Sequence, residues 1–336
     1  MTPSAAVPIY TKKDFVTDQD VRWCPGCGDY AILNGVQQAF AGFGVPKENL
    51  VIVSGIGCSS RFPYYMDVFG FHTIHGRAPA VASGLKIARP ELEVWVVTGD
   101  GDALSIGGNH LIHAMRRNMD LKVLLFNNRI YGLTKGQYSP TTAPGLRTPS
   151  TPMGSLDAAF NPVALALGAG ATFVARTVDT QIAHLKAIVE AAHRHRGFAF
   201  VEILQNCVIF NDGVFDHLVG KEVRDERLVD LRAGQPMTYG KGATHGLRFT
   251  PTSIETCPPA EADVWDVAEP SGAAAYRICQ GDERGALPVP IGIFRAVERP
   301  ALDAQIHEQL GAARKAAGGD GTLESLLASG ETWQVG

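Results

Sequence analysis

The chain has 336 residues, a formal net charge of −4, a pI of about 6.2 and 45% hydrophobic residues, enough for one large domain or two modest ones. This charge gives no footing for nucleic acid, no run approaches the roughly 20 apolar residues of a membrane span, and MTPSAAVPIYTKKDF lacks the apolar core of a secretory signal, so cytoplasm is the expected compartment. Six cysteines are too few for a disulfide scaffold in a chain this long, and their clustering points to metal chemistry under reducing conditions.

Residues 1–22 are polar and without period, and read as an extended arm. Trp23-Cys24-Pro25-Gly26-Cys27-Gly28 follows, two thiols on a turn that Pro-Gly keeps tight. Alone, such a pair is ambiguous between zinc, an iron–sulfur cluster and a redox disulfide. Ala31, Ile32, Leu33, Val36, Ala39 and Phe40 give a helix with a mostly apolar face, ended by Gly42, Gly44 and Pro46. Leu50 to Val53 reads as a buried strand that runs into Gly57-Cys58-Ser59 and Arg61. His75 and Arg77 then stand at the start of a helix rich in small residues, where backbone N–H groups and the helix dipole favour an anion; Arg77 could equally pair with a carboxylate on a neighbouring subunit.

The most informative stretch begins at Gly99-Asp100-Gly101-Asp102-Ala103, directly after the apolar run Val94 to Val97. It closes on Asn127-Asn128 after a second run, Val123 to Phe126. Two buried parallel strands read this way, with polar residues at the carboxyl ends where such sheets bind ligands. A carboxylate, an amide oxygen and a nearby carbonyl, here that of Ile130, suit octahedral Mg²⁺ on a diphosphate. Tyr131-Gly132-Leu133-Thr134-Lys135 continues as a loop over the reactive end of such a ligand, and the Pro-, Ser- and Thr-rich residues 138–152 read as a lid.

A helix from about Asn161, a strand near residues 172–174 and an amphipathic helix over residues 180–196 follow. His184, His193 and His195 in that last helix read as solvated cationic caps. The strand Phe198 to Leu204 leads into Gln205-Asn206-Cys207. Four cysteines, one close pair and two dispersed, thus sit on three loops, a pattern that suits a cubane cluster better than a zinc ribbon. Cys257 and Cys279 read as ordinary thiols. Beyond residue 220 the strand–helix rhythm fades, with a helix expected around residues 299–317.

Taken together, WCPGCG, GIGCSSR, HTIHGRA, GDGDALSIGGNH, NNRIYGLTKGQ and ILQNCVIFN resemble the β subunit of 2-oxoacid:ferredoxin oxidoreductases over residues 23–215, and Pro290 to Phe294 with Glu298-Arg299-Pro300 resemble the family's tail. The resemblance implies an α/β fold, a doubly wound, mostly parallel sheet forming a thiamine diphosphate-binding domain with a C-terminal arm. The divisions it suggests are an N-terminal arm (1–22), a thiamine diphosphate and 4Fe-4S domain (23–220) and an extension packing on the domain or a partner (221–336). It implies that Cys24, Cys27, Cys58 and Cys207 ligate one 4Fe-4S cluster and that Asp100, Asn128 and the Ile130 carbonyl hold Mg²⁺. His75 and the Gly101–Ala103 backbone would lie at the diphosphate, with Gly57, Cys58 and Ser59 near the aminopyrimidine. Leu133 and Lys135 would line the reactive end, and Gly99, Asp102, Tyr131, Gly132 and Thr134 complete the cofactor set. Arg61 would grip the substrate's carboxylate with paired hydrogen bonds.

The activity implied is coenzyme A-dependent oxidative decarboxylation of a 2-oxoacid, with 2-oxoglutarate preferred to pyruvate, and single electrons passing through the cluster. The chain shows one α/β domain and no ferredoxin-type cysteine run, so an α subunit and a separate ferredoxin are the expected partners. Two rivals remain at this level: a non-redox thiamine diphosphate lyase with structural zinc, and a non-catalytic subunit whose cysteines hold an interface.

Overall fold

The computed structural model describes residues 8–281 and 287–336; residues 1–7 of the expected N-terminal arm and 282–286 of the C-terminal extension lie outside the described residues. The described strands are, in chain order, β1 (Leu50–Ser54), β2 (Phe69–His72), β3 (Glu93–Gly99), β4 (Leu121–Asn127), β5 (Phe173–Val178), β6 (Ala199–Leu204), β7 (Leu228–Leu231), β8 (Thr238–Tyr239), β9 (His245–Phe249), β10 (Ile254–Cys257) and β11 (Val289–Ala296). Eight of them form one sheet in the order β2-β1-β3-β4-β6-β5-β11-β7. All neighbours in it are parallel except β11 against β5.

Both faces of this sheet are covered, which is why its strands are apolar at nearly every position rather than alternating. One face packs Val51, Val53, Val94, Val96, Val123 and Leu125 against α2 (Ala78–Ala88), α4 (Gly108–Arg116) and α5 (Pro162–Gly168). The other packs Ile52, Trp95, Val97, Leu124 and Phe126 against α1 (Asp29–Phe40) and α6 (Ile182–Arg194). The short α3 (Asp100–Leu104) starts directly where β3 ends. Each fully buried large apolar side chain contributes about 1.5–3 kcal/mol. The doubly wound reading is therefore the observed architecture.

Register places the site. Gly99 of β3 lies opposite Phe126 of β4, and Asn127 of β4 opposite Leu204 of β6, so GDG, NN and QNC leave the sheet side by side. After β1 the chain places β2 on one side and β3 on the other. This switch point opens a crevice at the carboxyl ends of β1 and β3, the place where open α/β sheets take their ligands.

Two readings change and one holds. Residues after 220, expected as an extension, contribute β7 and β11 to the main sheet and form a separate three-stranded antiparallel sheet, β10-β9-β8. The helix expected around 299–317 runs Leu302–Ala316. His184 and His193 of α6 and His195 directly after it are not solvated caps, because the inner turns of that helix face the sheet. His184 Nδ1 lies 2.7 Å from Thr177 Oγ1, His193 stacks on Phe43 with ring centroids 4.0 Å apart, and His195 Nε2 lies 2.8 Å from Thr172 Oγ1. Burial first, and Lys122 second, push the His195 imidazole down to about 4.

Candidate active site and cysteine cage

The turn after β4 sets the first half of the site. Arg129 has φ 58°, a left-handed conformation that costs a non-glycine residue about 1–2 kcal/mol. Asparagine side chains offset this by capping the turn. Asn127 Oδ1 accepts from Arg129 N at 3.3 Å, and Asn128 Oδ1 accepts from Ile130 N at 3.2 Å. Asn211 Nδ2, from the loop after β6, donates to the Asn128 carbonyl at 2.9 Å. The next residues close tightly, with Tyr131 N donating to Gln137 O and Gly136 N to Tyr131 O.

Opposite this turn stands Asp100. It is 2% exposed, and no Lys, Arg or His forms a salt bridge with it among the described residues. One of its oxygens, Oδ2, takes hydroxyl hydrogen bonds from Ser139 and Thr141. Burial pushes its carboxyl above the usual range, against the pull of those two hydroxyls. A buried carboxylate without a counter-charge is costly, and a cation on the cavity side relieves that cost. The donor set therefore fits Mg²⁺. Asp102 serves differently: Oδ1 accepts from Gly76 N at 2.7 Å and Oδ2 from Thr98 Oγ1 at 2.7 Å, so it ties the His75 turn to α3.

A cavity of about 100 Å³ lies between these groups. Its walls include Gly57, Cys58, Ser59, His75, Gly99, Asp100, Gly101, Asp102, Asn128, Ile130, Tyr131, Gly132, Leu133 and Thr134. Of the expected cofactor set only Ala103 is absent from the lining; it is buried in α3. Ile56, Ser105, Ile106 and Phe126 also line it. Its volume is below the roughly 300 Å³ at which small-molecule pockets begin, and Ile106 in its lining is exposed.

A second cavity, of about 250 Å³, gathers Cys24, Cys27, Cys58 and Cys207. The Cys58 and Cys207 sulfurs both lie close to Gly132, where an added Cβ would sit 3.7 and 3.5 Å from them. Among the described residues no three His, Cys, Asp or Glu side chains come close enough to hold a single metal ion. The four thiols thus line one cavity, as the sequence brings them from three separate loops. Burial pushes the Cys58 thiol up to about 12 and the Cys27 thiol higher still, while Arg61 pulls Cys58 the other way. Asp29 also lines this cavity, its carboxyl raised to about 7 by burial, with Asp179 adding to the rise.

Arg61 and Lys135 are placed less as the motif suggests. Neither lines the first cavity. Lys135, held at φ 74°, lines the cysteine cavity together with Arg22 and Arg61. Arg61 also faces a third cavity of about 620 Å³, which shares Ile56, Gly57 and Leu133 with the first. The loop read as a lid does not line the first cavity. It packs beneath Asp100 through Ser139 and Thr141, which sequence reasoning missed because hydroxyl residues are ordinary in loops. Gln205 was missed too: its Nε2 donates to Cys27 Sγ at 3.3 Å.

Fold and crevice together define a thiamine diphosphate-binding protein, and residues 55–203 match the family described as thiamine pyrophosphate enzyme, C-terminal TPP binding domain. Over 345 residues the chain is 52% identical to the 2-oxoglutarate oxidoreductase subunit KorB of Mycobacterium tuberculosis, covering 100% of this chain and 92% of that protein. It is 51% identical over 190 residues to the 2-oxoacid:ferredoxin oxidoreductase 1 subunit β of Aeropyrum pernix, covering 56% of this chain and 60% of that one. Its fold is similar to a solved 2-oxoglutarate:ferredoxin oxidoreductase from Magnetococcus marinus with 2-oxoglutarate, coenzyme A and succinyl-CoA bound, at TM-score 0.75 and 32% identity over 98% of both chains. The chain belongs to the 2-oxoacid:ferredoxin oxidoreductase β-subunit family. Among the described residues no helix is long and apolar enough to cross a membrane.

Proposed function

We propose that this chain is the thiamine diphosphate- and cluster-bearing subunit of a coenzyme A-dependent 2-oxoglutarate:ferredoxin oxidoreductase, acting with an α subunit in the cytoplasm. One observation carries the proposal. The cofactor cavity and the cysteine cavity share a wall made of Cys58, Asn128, Gly132 and Leu133, so a cofactor in the first would lie one wall away from an electron acceptor held by the cysteines of the second.

Bound thiamine diphosphate supplies an electron sink for cleaving a carbon–carbon bond beside a carbonyl, and a 4Fe-4S cluster accepts the electrons singly. The chain's own residues bind and orient. Asp100, the Asn128 side chain and the Ile130 carbonyl hold Mg²⁺ on the diphosphate, with His75 and the Gly101 backbone beside it. Tyr131 steadies the turn by donating to the Gly101 carbonyl at 3.0 Å. Leu133 and Ile56, which line both the cofactor cavity and the cavity that Arg61 faces, exclude water between them. Arg61 anchors the substrate's carboxylate from that third cavity.

Cys24, Cys27, Cys58 and Cys207 hold the cluster, and Arg22, Arg61 and Lys135 offset its negative charge. Cys24 is exposed, so the cage reaches solvent on the side where ferredoxin can approach. Turnover of the αβ complex with a low-potential viologen dye tests the proposal: dye reduction that needs both 2-oxoglutarate and coenzyme A supports it. Reduction with pyruvate alone among 2-oxoacids changes the substrate, and no reduction with any 2-oxoacid rejects the redox reading.

A further inference from the structure

Behind Asp100 lies a buried polar chain that the proposed chemistry does not itself require. Arg176 of β5 and Glu202 of β6 face each other in register, and Arg176 Nε donates to Glu202 Oε2 at 2.6 Å. Both side chains are almost fully buried, at 7% and 1% exposure. Arg176 Nη1 also donates to the Pro290 carbonyl on β11 at 3.2 Å. The other Glu202 oxygen, Oε1, accepts from Asn127 Nδ2 at 2.7 Å. Asn127 Oδ1 then lies 2.9 Å from the Thr141 hydroxyl, which itself lies 2.5 Å from Asp100 Oδ2.

A buried ion pair is weak evidence for stability, since apolar replacements of similar volume are often neutral or better. Its value here is directional. An ionised Glu has only acceptors, so it draws the Asn127 NH₂ towards itself and turns the amide oxygen towards Thr141. The one Thr141 hydroxyl hydrogen lies between two acceptors, Asn127 Oδ1 and Asp100 Oδ2, so the amide oxygen fixes where the hydroxyl sits beside the carboxylate. Together with the Ser139 hydroxyl, which donates to the same Oδ2, the Thr141 hydroxyl holds the carboxylate of Asp100 in one orientation at the cavity wall.

We propose that Glu202, locked by Arg176, is a positioning residue for Asp100, acting through Asn127 and Thr141 to preset the carboxylate for the divalent cation. The inference rests on the cofactor reading above. Outer-shell partners of metal ligands are worth about 10–100-fold in metal affinity, and members of one chain do not act independently.

The test is the apparent Kd for Mg²⁺ of the assembled αβ complex at saturating thiamine diphosphate, followed by calorimetry, with iron content as an independent readout. Glu202→Gln and Thr141→Val are each expected to weaken Mg²⁺ binding about tenfold, with the iron content unchanged. The double variant should be no weaker than either single one, and Thr141→Ser should bind as the parent does. An unchanged Kd in Glu202→Gln, effects that multiply in the double variant, or iron lost in step with Mg²⁺ affinity would each overturn the proposal. Should Glu202→Gln fail to assemble, Asn127→Leu cuts the same link while keeping the ion pair; a tenfold weakening supports the proposal and an unchanged Kd overturns it. Asp100→Asn separates the two levels: if it retains full Mg²⁺ affinity, the cofactor reading itself fails.

Discussion

Gly101 is where the cradle has least room. A Cβ added there would stand 2.2 Å from Tyr131 Cε1 and 2.6 Å from Cζ, so the ring would have to move by over an ångström to reach ordinary contact. Overpacking of this kind costs about 1–3 kcal/mol. Moving the ring also breaks the Tyr131 hydroxyl bond to the Gly101 carbonyl, worth about 1 kcal/mol. Alanine's better helix propensity returns about 1 kcal/mol at most, less in a helix as short as α3. Gly101→Ala should therefore destabilise the chain by about 1–3 kcal/mol, a few degrees in Tm for a domain of this size. Tyr131 lines the cofactor cavity, so thiamine diphosphate affinity should fall at least tenfold as well. Thermal unfolding and calorimetric titration of the αβ complex read the two effects separately. Gly101→Ala/Tyr131→Leu removes the clash and should be no less stable than Tyr131→Leu alone. An unperturbed Gly101→Ala variant, or a double variant whose losses simply add, would refute the steric argument.

Other expected outcomes follow from the same geometry. Cys207→Ser should lower the iron content sharply while leaving thiamine diphosphate binding in place, whereas Cys257→Ser, remote from the cage, should leave both unchanged. Arg61→Met should raise KM for 2-oxoglutarate about tenfold or more, the loss of a charged two-point contact, with iron content unaltered; an unchanged KM would leave Arg61 to the cluster alone. His195 is depressed to about 4 by burial, so the unfolded chain takes up a proton before the folded one does. The stability it sustains is complete above pH 6.5 and is lost as the pH falls from 6.5 through 4. Discounted for partial exposure, the loss is about 1–2 kcal/mol. His195→Gln should flatten the Tm-against-pH curve over that interval, and an equally steep curve would assign the slope to other groups.

The central sheet was legible because β1, β3 and β4 carry continuous apolar runs and β6 is apolar but for Glu202, and each ends on residues whose chemistry differs from its interior. GDG, NN and the dispersed cysteines each end a strand, and a parallel sheet sends all such ends to one edge. What was not legible depends on partners distant in sequence. β11 carries Pro290 near its start and a register shift between Ile293 and Arg295, so it reads poorly as a strand until β5 and β7 flank it. β2, Phe-Gly-Phe-His, is exposed at every position and carries no inside–outside pattern. Lys135 belongs to the cysteine cavity because its left-handed backbone sits in a turn closed by Gly136 and Gln137, which spacing does not reveal. Ser139, Thr141 and Glu202 touch Asp100 or its supports only through the tertiary fold. Their sequence neighbourhoods look like loop and strand.

On the proposed function, a thiamine diphosphate site and a cysteine-held cluster share one wall and exchange electrons across it. Visible and electron paramagnetic resonance spectra of the anaerobically purified αβ complex, before and after 2-oxoglutarate and coenzyme A, test it most directly. A broad brown absorption that bleaches on addition is expected, together with the signal of a reduced 4Fe-4S cluster. A colourless, zinc-containing protein, or a cluster that no 2-oxoacid reduces, would contradict it.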